Sequence, residues 1–217
     1  SRYVHLGGDE AGNPPLNCWT HCEKCDSLRR KLGITATDGS ENWRLQKHLF
    51  DRVIDTLRTR HGKTPMFWYE TDFREIPEGC GTFAWRHGLT AAAIRAAQEN
   101  GRKIMLCPGE HCYLDYPAAP GDMPEVNWGM PVTSLEQTYR LDPAWGFGED
   151  FEKHNLMGVA GTLWSECISS PERLYYMAYP RAMALAEAGW SIPANRSWES
   201  FRERVRHQMR QHRLRRF

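Results

Sequence analysis

No stretch of the 217 residues approaches the roughly 18 consecutive apolar side chains that a membrane-spanning helix requires. The Ser1 start carries no signal-like segment and no Met, so the expectation is a processed or truncated chain with its localisation open. An excess of either charge is also missing, since 28 Lys and Arg stand against 27 Asp and Glu, a net charge of +1. That balance excludes a generally basic nucleic-acid binder and an acidic solvating tail. Internal repeats and low-complexity segments are absent. The seven cysteines are odd in number and show no evident pairing, so no secreted disulfide framework is expected. Cys22-Glu23-Lys24-Cys25 has CxxC spacing with Cys18 and His21 nearby, yet a structural zinc site needs a second ligand pair and none is evident. Free thiols, a local disulfide and helix-start residues are the readings that stay open, and no metal is expected.

Aromatic residues are abundant instead. They make up 12% of the chain, and nine of them are Trp, a residue that needs both apolar area and a partner for its N–H. Core packing accounts for several. Flat aromatic faces also bind the apolar C–H surfaces of sugar rings, so carbohydrate is a candidate ligand class.

Short apolar runs alternate with helical patterns. Strands are expected around residues 3–6, 66–68, 82–85, 103–107 and 159–164. Helices are expected at 16–32, 42–60, 89–99, 171–188 and 197–214, the second carrying a stripe of Trp43, Leu49, Phe50, Val53, Ile54 and Leu57. The stretch 108–131 is too long for a connector and too aromatic for a linker, which marks it as functional. Strands that are apolar throughout and are each followed by a helix or loop indicate a parallel sheet covered on both faces. Chemistry in such folds gathers at the carboxyl ends of strands. The residues there are Asp9-Glu10, Trp68 with Glu70, Trp85, Tyr113 with Asp115, and Trp164 with Glu166. Five ends bearing acids, aromatics or both point to one pocket.

Neighbouring residues on a regular strand face opposite sides, so Asp9 and Glu10 could not share a site. Gly7-Gly8 can break that alternation. Two nearby carboxylates divide protonation between them, which suits the cleavage of a glycosidic bond. A solvated acidic loop is the plain alternative for this pair. Trp68 and Trp85 also fit barrel core, Trp128 fits an ordinary loop, His5 a hydrogen-bonded strand residue, and Glu70 a structural carboxylate kept outside the site.

His5-Leu6-Gly7-Gly8-Asp9-Glu10 resembles the His-x-Gly-Gly-Asp-Glu signature of family 20 glycoside hydrolases, the β-N-acetylhexosaminidases. The resemblance continues through Trp68-Tyr69-Glu70, Trp85, Tyr113-Leu114-Asp115 and Trp164-Ser165-Glu166. It ends at Pro180-Arg181 and Ala186-Glu187 before Trp190, so it covers residues 3 to about 192. It implies an α/β fold of the (β/α)8 TIM-barrel type, here a single domain over 1–217. It also implies exo-hydrolysis of terminal β-linked N-acetylglucosamine or N-acetylgalactosamine, with no cofactor. Catalysis would be substrate-assisted and retaining, the substrate's own acetamido oxygen attacking C1. Asp9 would orient the acetamide, Glu10 would act as general acid and base, and Tyr113 would donate its hydroxyl to the acetamide oxygen. Trp68, Trp85 and Trp164 would wall the pocket, while Asp115, Trp128 and Glu166 would hold the outer hydroxyls.

The recognisable part opens with a strand resembling the family's fourth. The expectation is therefore a partial barrel of about five parallel strands with helices, whose open edges call for a second copy or a missing amino-terminal piece. An inactive or carbohydrate-binding fragment is the alternative to an enzyme. A nucleotide-cyclising reading of Gly-Gly-Asp-Glu fits less well, because Ala11-Gly12-Asn13-Pro14 follows instead of Phe. The Arg-rich tail from 196 allows a nucleic-acid surface, but the apolar stripe of Trp198, Phe201, Val205 and Met209 favours an outer barrel helix with a solvated basic face. Neither nucleic acid nor membrane is expected as a partner.

Overall fold

Tyr3-Val4-His5 has the β-branched and aromatic content of a strand, and it forms β1 (Tyr3–His5). The computed structural model describes residues 1–10, 18–35, 40–70, 76–122, 129–145, 147 and 155–211. The chain divides into two compact units, Ser1–Phe83 and Ala84–Phe217.

In the first unit, α1 (Glu23–Lys31) and α2 (Glu41–His61) precede β2 (Thr64–Trp68), and β3 (Gly81–Ala84) closes it. The strands run parallel, with Tyr3 opposite Thr64, His5 opposite Met66, Met66 opposite Gly81 and Trp68 opposite Phe83. Phe50 and Ile54 of α2 pack with Phe67 and Cys80, and Leu6, Trp43 and Ile76 border this core. Phe50 meets Phe67 edge-on at 4.8 Å between ring centroids, a preferred aromatic geometry. The expected stripe is therefore real, except that Leu49 is 54% exposed. The expected helix at 16–32 is shorter: a 3-10 turn at Cys18–His21 stops at Cys22, whose extended backbone (φ −100°, ψ 114°) separates it from α1. Residues 16 and 17 of that expectation lie outside the described residues.

The second unit contains α3 (Thr90–Glu99), β4 (Ile104–Leu106), α4 (Gly109–Cys112), α5 (Leu135–Tyr139), β5 (Leu156–Val159), α6 (Pro171–Ala178), α7 (Arg181–Trp190) and α8 (Trp198–Gln211). β4 and β5 are parallel and change register between Ile104 and Met105. The last strand thus lies earlier than the apolar run 159–164 suggests. The ladder stops at Val159, and Thr162 makes only an isolated parallel bridge to Tyr113. A side chain at Gly161 would sit 2.6 Å from Leu185 Cδ2, so a larger residue there would have to displace that methyl of α7.

The single helix expected at 171–188 is two helices. Pro180 drives Tyr179 into an extended conformation (φ −109°, ψ 138°), because the residue before a proline is barred from helical geometry. α5 was not expected, although Ser134-Leu135-Glu136-Gln137 is a capping-box pattern and Ser134 Oγ does accept from the Gln137 N–H at 3.1 Å. Helix α8 places Phe201 and Val205 in a cluster with Tyr139 and Ala184, bordered by Trp198 and Met209, as its apolar stripe predicts. Residues 212–214 of that expected helix lie outside the described residues.

One polar side chain sits at the centre of this unit. Arg181 is 2% exposed and donates to the carbonyls of Tyr116 (3.0 Å), Thr133 (2.9 Å), Leu114 (2.5 Å) and Met177 (2.8 Å). Arg173 adds an ion pair to Asp122 at 2.9 Å, and Asp122 also accepts from the Ala118 N–H at 3.0 Å. Together they hold the stretch after α4 against α6 and α7. Arg181→Leu is expected to strand several buried carbonyls, each costing about 1–3 kcal/mol. A urea midpoint should register a total loss of at least about 3 kcal/mol, whereas Leu49→Ala should stay within about 0.5 kcal/mol.

Candidate active site

Each sequence-designated residue that the structure describes lies at or beyond the carboxyl end of a strand. In the first unit, the chain leaves β1 through Gly7 (φ 77°) and Gly8 (φ 102°). A side chain at Gly8 would meet the Phe67 ring at 3.2 Å. Glu10 is then held at φ 51°, among the described residues the one non-glycine in the left-handed region. Such a conformation costs of order 1–3 kcal/mol for an ordinary residue and often marks a functional turn. Alternation is therefore broken where Gly7-Gly8 leads one to expect it. Asp9 turns back so that its Oδ1 lies 3.8 Å from the position of a Gly7 Cβ, and it is half-buried while Glu10 is exposed.

His5 supports this turn. The Gly7 N–H donates to its Nδ1 at 3.0 Å, which places the ring proton on Nε2. The ring lies 4.6 Å from both Trp68 and Phe83. Loss of water around it lowers its pKa to about 4, so the imidazole is neutral at physiological pH. Trp68 itself packs edge-on against Phe83 at 5.3 Å. Glu70 is buried at the end of the same strand.

In the second unit the ladder beyond β3 runs on, with the Cys107 N–H donating to Ala84 and the Gly109 N–H to Trp85, both at 2.8 Å. The Leu114 N–H donates to Thr162 and the Thr162 N–H to Cys112, both at 2.9 Å. These bonds seat Trp85, Tyr113 and Trp164 around one space. Tyr113 stacks on Trp85 at 6.2 Å with planes 16° apart, and Trp164 tilts against it at 6.4 Å. Burial pushes the Tyr113 hydroxyl well above its ordinary pKa, and the charge of Cys107 acts the same way, although a side-chain hydrogen bond with Trp164 opposes both. Indole is only a donor, so Trp164 donates to the phenolic oxygen and leaves the O–H of Tyr113 to donate elsewhere.

Asp115 is fully buried. Burial raises its carboxyl to about 6, although the backbone N–H groups of Asp115 and Trp164 and the charge of Arg181 pull it down; the Glu166 carboxylate raises it further. Glu166 is exposed in the 3-10 turn Ser165–Cys167 that Trp164 caps. The structure thus groups Trp85, Tyr113, Asp115, Trp164 and Glu166 within one unit, and Asp9, Glu10 and Trp68 within the other. Trp128 lies outside the described residues. Sequence reasoning missed the polar supports, Arg181 above all. Its only signal is an Arg directly after Pro180 in an otherwise Ala-rich apolar segment.

Carboxylates and indoles gathered at the carboxyl ends of parallel strands define an α/β protein of the barrel type, with its chemistry on the strand-end loops. The chain belongs to glycosyl hydrolase family 20, whose catalytic-domain profile matches residues 1–193. It is 38% identical to a β-hexosaminidase of Akkermansia muciniphila over 94% of this chain and 39% of that protein. A β-hexosaminidase of Vibrio furnissii is 32% identical over 89% of this chain and 30% of its own length. Among solved structures, a β-N-acetylhexosaminidase superposes with a TM-score of 0.75 at 37% identity, covering 99% of this chain and 43% of that one. The exo-β-N-acetylglucosaminidase of Vibrio harveyi, solved with N-acetylglucosamine, also gives 0.75, at 30% identity over 96% and 31% of the two chains. The chain spans between three and just over four tenths of the length of these four relatives. Its fold is the family's TIM-barrel type, represented by five parallel strands with helices.

Two titrations test the electrostatics. Asp115 has a folded pKa near 6 against 3.8 for its ordinary value, so folding is favoured below the lower value and loses stability as pH rises to the upper one. At about 1.36 kcal/mol per pKa unit the loss approaches ~3 kcal/mol. Urea midpoints at pH 4 and pH 8 should show it in the parent, and Asp115→Asn should remove that difference. His5 has the opposite sign. Its folded value near 4 lies below 6.5, so its contribution is intact above the ordinary value and is lost as pH falls toward 4. Its ring resonances should not titrate above about pH 5.

Proposed function

We propose that this chain forms part of the catalytic barrel of an exo-acting β-N-acetylhexosaminidase, releasing terminal β-linked N-acetylglucosamine or N-acetylgalactosamine by substrate-assisted retaining catalysis. The observation that carries this reading is the family match over 1–193, which includes the left-handed turn that presents Asp9 and Glu10. The substrate's acetamide oxygen attacks C1, and an oxazolinium-like intermediate forms as the glycosidic bond breaks. Asp9 accepts from the acetamide N–H, orients the group and stabilises the positive charge that develops on it. Glu10 protonates the departing glycosidic oxygen and then takes a proton from the incoming water. Tyr113 donates to the acetamide oxygen. Its buried hydroxyl stays protonated across the working pH range, as a donor must.

Trp68, Trp85 and Trp164 wall the acetamide and the sugar face, which holds the nucleophile in its attacking position before the reaction begins. Asp115, Trp128 and Glu166 receive the outer hydroxyls of the terminal sugar. Arg181 is a positioning residue for this set, since it fixes the backbone of Leu114 and Tyr116 on either side of Asp115. Residues 1–217 act as a single piece of the barrel, completed by a second copy or by a preceding piece of chain.

The test is hydrolysis of N-acetyl-β-glucosaminides. Glu10→Gln should lower kcat by about 10²–10⁴ on an alkyl glycoside and by less on a nitrophenyl glycoside, whose leaving group needs no proton. Asp9→Asn should lower kcat on both. Equal rates for parent and Glu10→Gln on the alkyl substrate would refute the assignment. A second reading, a carbohydrate-binding piece without turnover, is favoured by the chain's coverage of only 39% of the Akkermansia relative. Inhibitor binding with no nitrophenol release from the parent would select it.

A further inference from the structure

The proposed hydrolysis leaves unused a pair of thiols at the start of α1. Cys22 is the N-cap residue, with φ −100° and ψ 114°, and Cys25 is the third helical residue. An N-cap side chain faces the N–H of the third helical residue. The Cys22 thiol makes no capping bond of this kind, and Cys25, at that third position, is the residue that acts most on its charge. Both cysteines are partly exposed, whereas Cys80, Cys107 and Cys112 are buried.

We propose that Cys22 and Cys25 form a reversible dithiol–disulfide couple, a modification site for low-molecular-weight disulfides of the glutathione class. Side chains three apart on a helix have Cβ atoms about 5–6 Å apart, and a disulfide needs about 3.5–4.5 Å. An extended N-cap residue lies off the helical path, so closing that gap falls to Cys22 and leaves the first helical bond, from the Asp26 N–H to the Cys22 carbonyl at 2.9 Å, in place. The surrounding backbone is anchored as well. Arg29 donates to Asp26 at 2.6 Å, to the Trp19 carbonyl at 2.8 Å and to Asn42 of α2 at 2.9 Å.

The Cys25 N–H, then the Cys25 thiol, and more weakly Lys24 hold the Cys22 thiol below its ordinary pKa. A lowered thiol at a helix N-terminus is the attacking partner in exchange reactions. The Cys22 thiolate attacks one sulfur of glutathione disulfide, forming a mixed disulfide and expelling a glutathione thiolate, which takes up a proton. Cys25 loses its proton to solvent, and its thiolate attacks the Cys22 sulfur and expels the second glutathione. Two electrons pass from the protein to glutathione disulfide, leaving one protein disulfide and two glutathione molecules.

Lys24 makes the test specific, since trypsin cuts between the two cysteines. The full chain, equilibrated with glutathione disulfide, alkylated under denaturing conditions and digested, should yield the peptides 3–24 and 25–29 joined. Dithiothreitol should separate them and restore one alkylation site at Cys22 and one at Cys25. Cys18→Ser should keep the joined species, and Cys22→Ser should abolish it, with circular dichroism confirming that each variant folds. Four results would overturn the proposal: alkylation of both thiols at every glutathione ratio, arrest at the mixed disulfide, linkage through Cys18, or stoichiometric zinc protecting the thiols in reduced protein.

Discussion

The second unit depends on one buried guanidinium. Removing Arg181 from water lowers its pKa to about 10, so it still carries a full charge at neutral pH. A buried charge is tolerated only when its hydrogen-bonding capacity is met. Here backbone carbonyls from three separate segments satisfy the two terminal nitrogens, Leu114 and Tyr116 after α4, Thr133 before α5, and Met177 in α6, while the buried Nε has no hydrogen-bond partner among the described residues. The fork geometry of Arg serves several acceptors at fixed angles, which the single ammonium of a Lys would not reproduce. The segment after α4 is irregular and could not be held by a strand ladder or a helical repeat. A side-chain hub fixes it instead, and Tyr113 and Asp115 are positioned as a consequence.

The first unit reaches a comparable result through backbone strain. Two glycines and Glu10, all at positive φ, turn the chain within five residues of β1. The neutral His5, wedged against Trp68 and Phe83, caps the Gly7 N–H and so stabilises the beginning of that turn. A protonated imidazole has no lone pair to offer that N–H. The aromatic neighbours that depress its pKa are therefore part of what keeps the acidic turn in shape. The signature histidine supports the acids and does not itself need to react.

Elements with strong local signals were legible in the sequence. The period-3.6 stripes of α2 and α8, the apolar strand before Pro108 and the strand-end acids and indoles all follow from side-chain pattern. What escaped depends on contacts between segments. The ladder of β5 stops at Val159 although the apolar run continues, and the split between α6 and α7 needed the effect of Pro180 on Tyr179 to be weighed above the apolar period. The extended Cys22 that separates the 3-10 turn from α1 makes no side-chain cap bond and carries no local signal in the sequence. Arg181 was invisible for a different reason. Composition places arginines on surfaces, and only the convergence of carbonyls from distant segments shows why this one is inside.

Burial acts in opposite directions on the two site residues that Arg181 helps to place. For Tyr113, loss of water favours the neutral hydroxyl, the form that can donate a hydrogen bond, which is what its proposed role requires. For Asp115 it favours the protonated acid, whereas the sugar-binding role proposed for it calls for a carboxylate. The charge of Arg181 and the N–H groups of Asp115 and Trp164 counter desolvation there and leave the carboxyl near 6, ionised for the most part at neutral pH. Exposed Glu166, the smallest of the named influences, pushes the other way, so a ligand whose hydroxyls donate to both acids would ease that repulsion. Desolvation is the larger cost for Asp115, and hydroxyls of a polyhydroxylated ring that donate to the carboxylate would offset it.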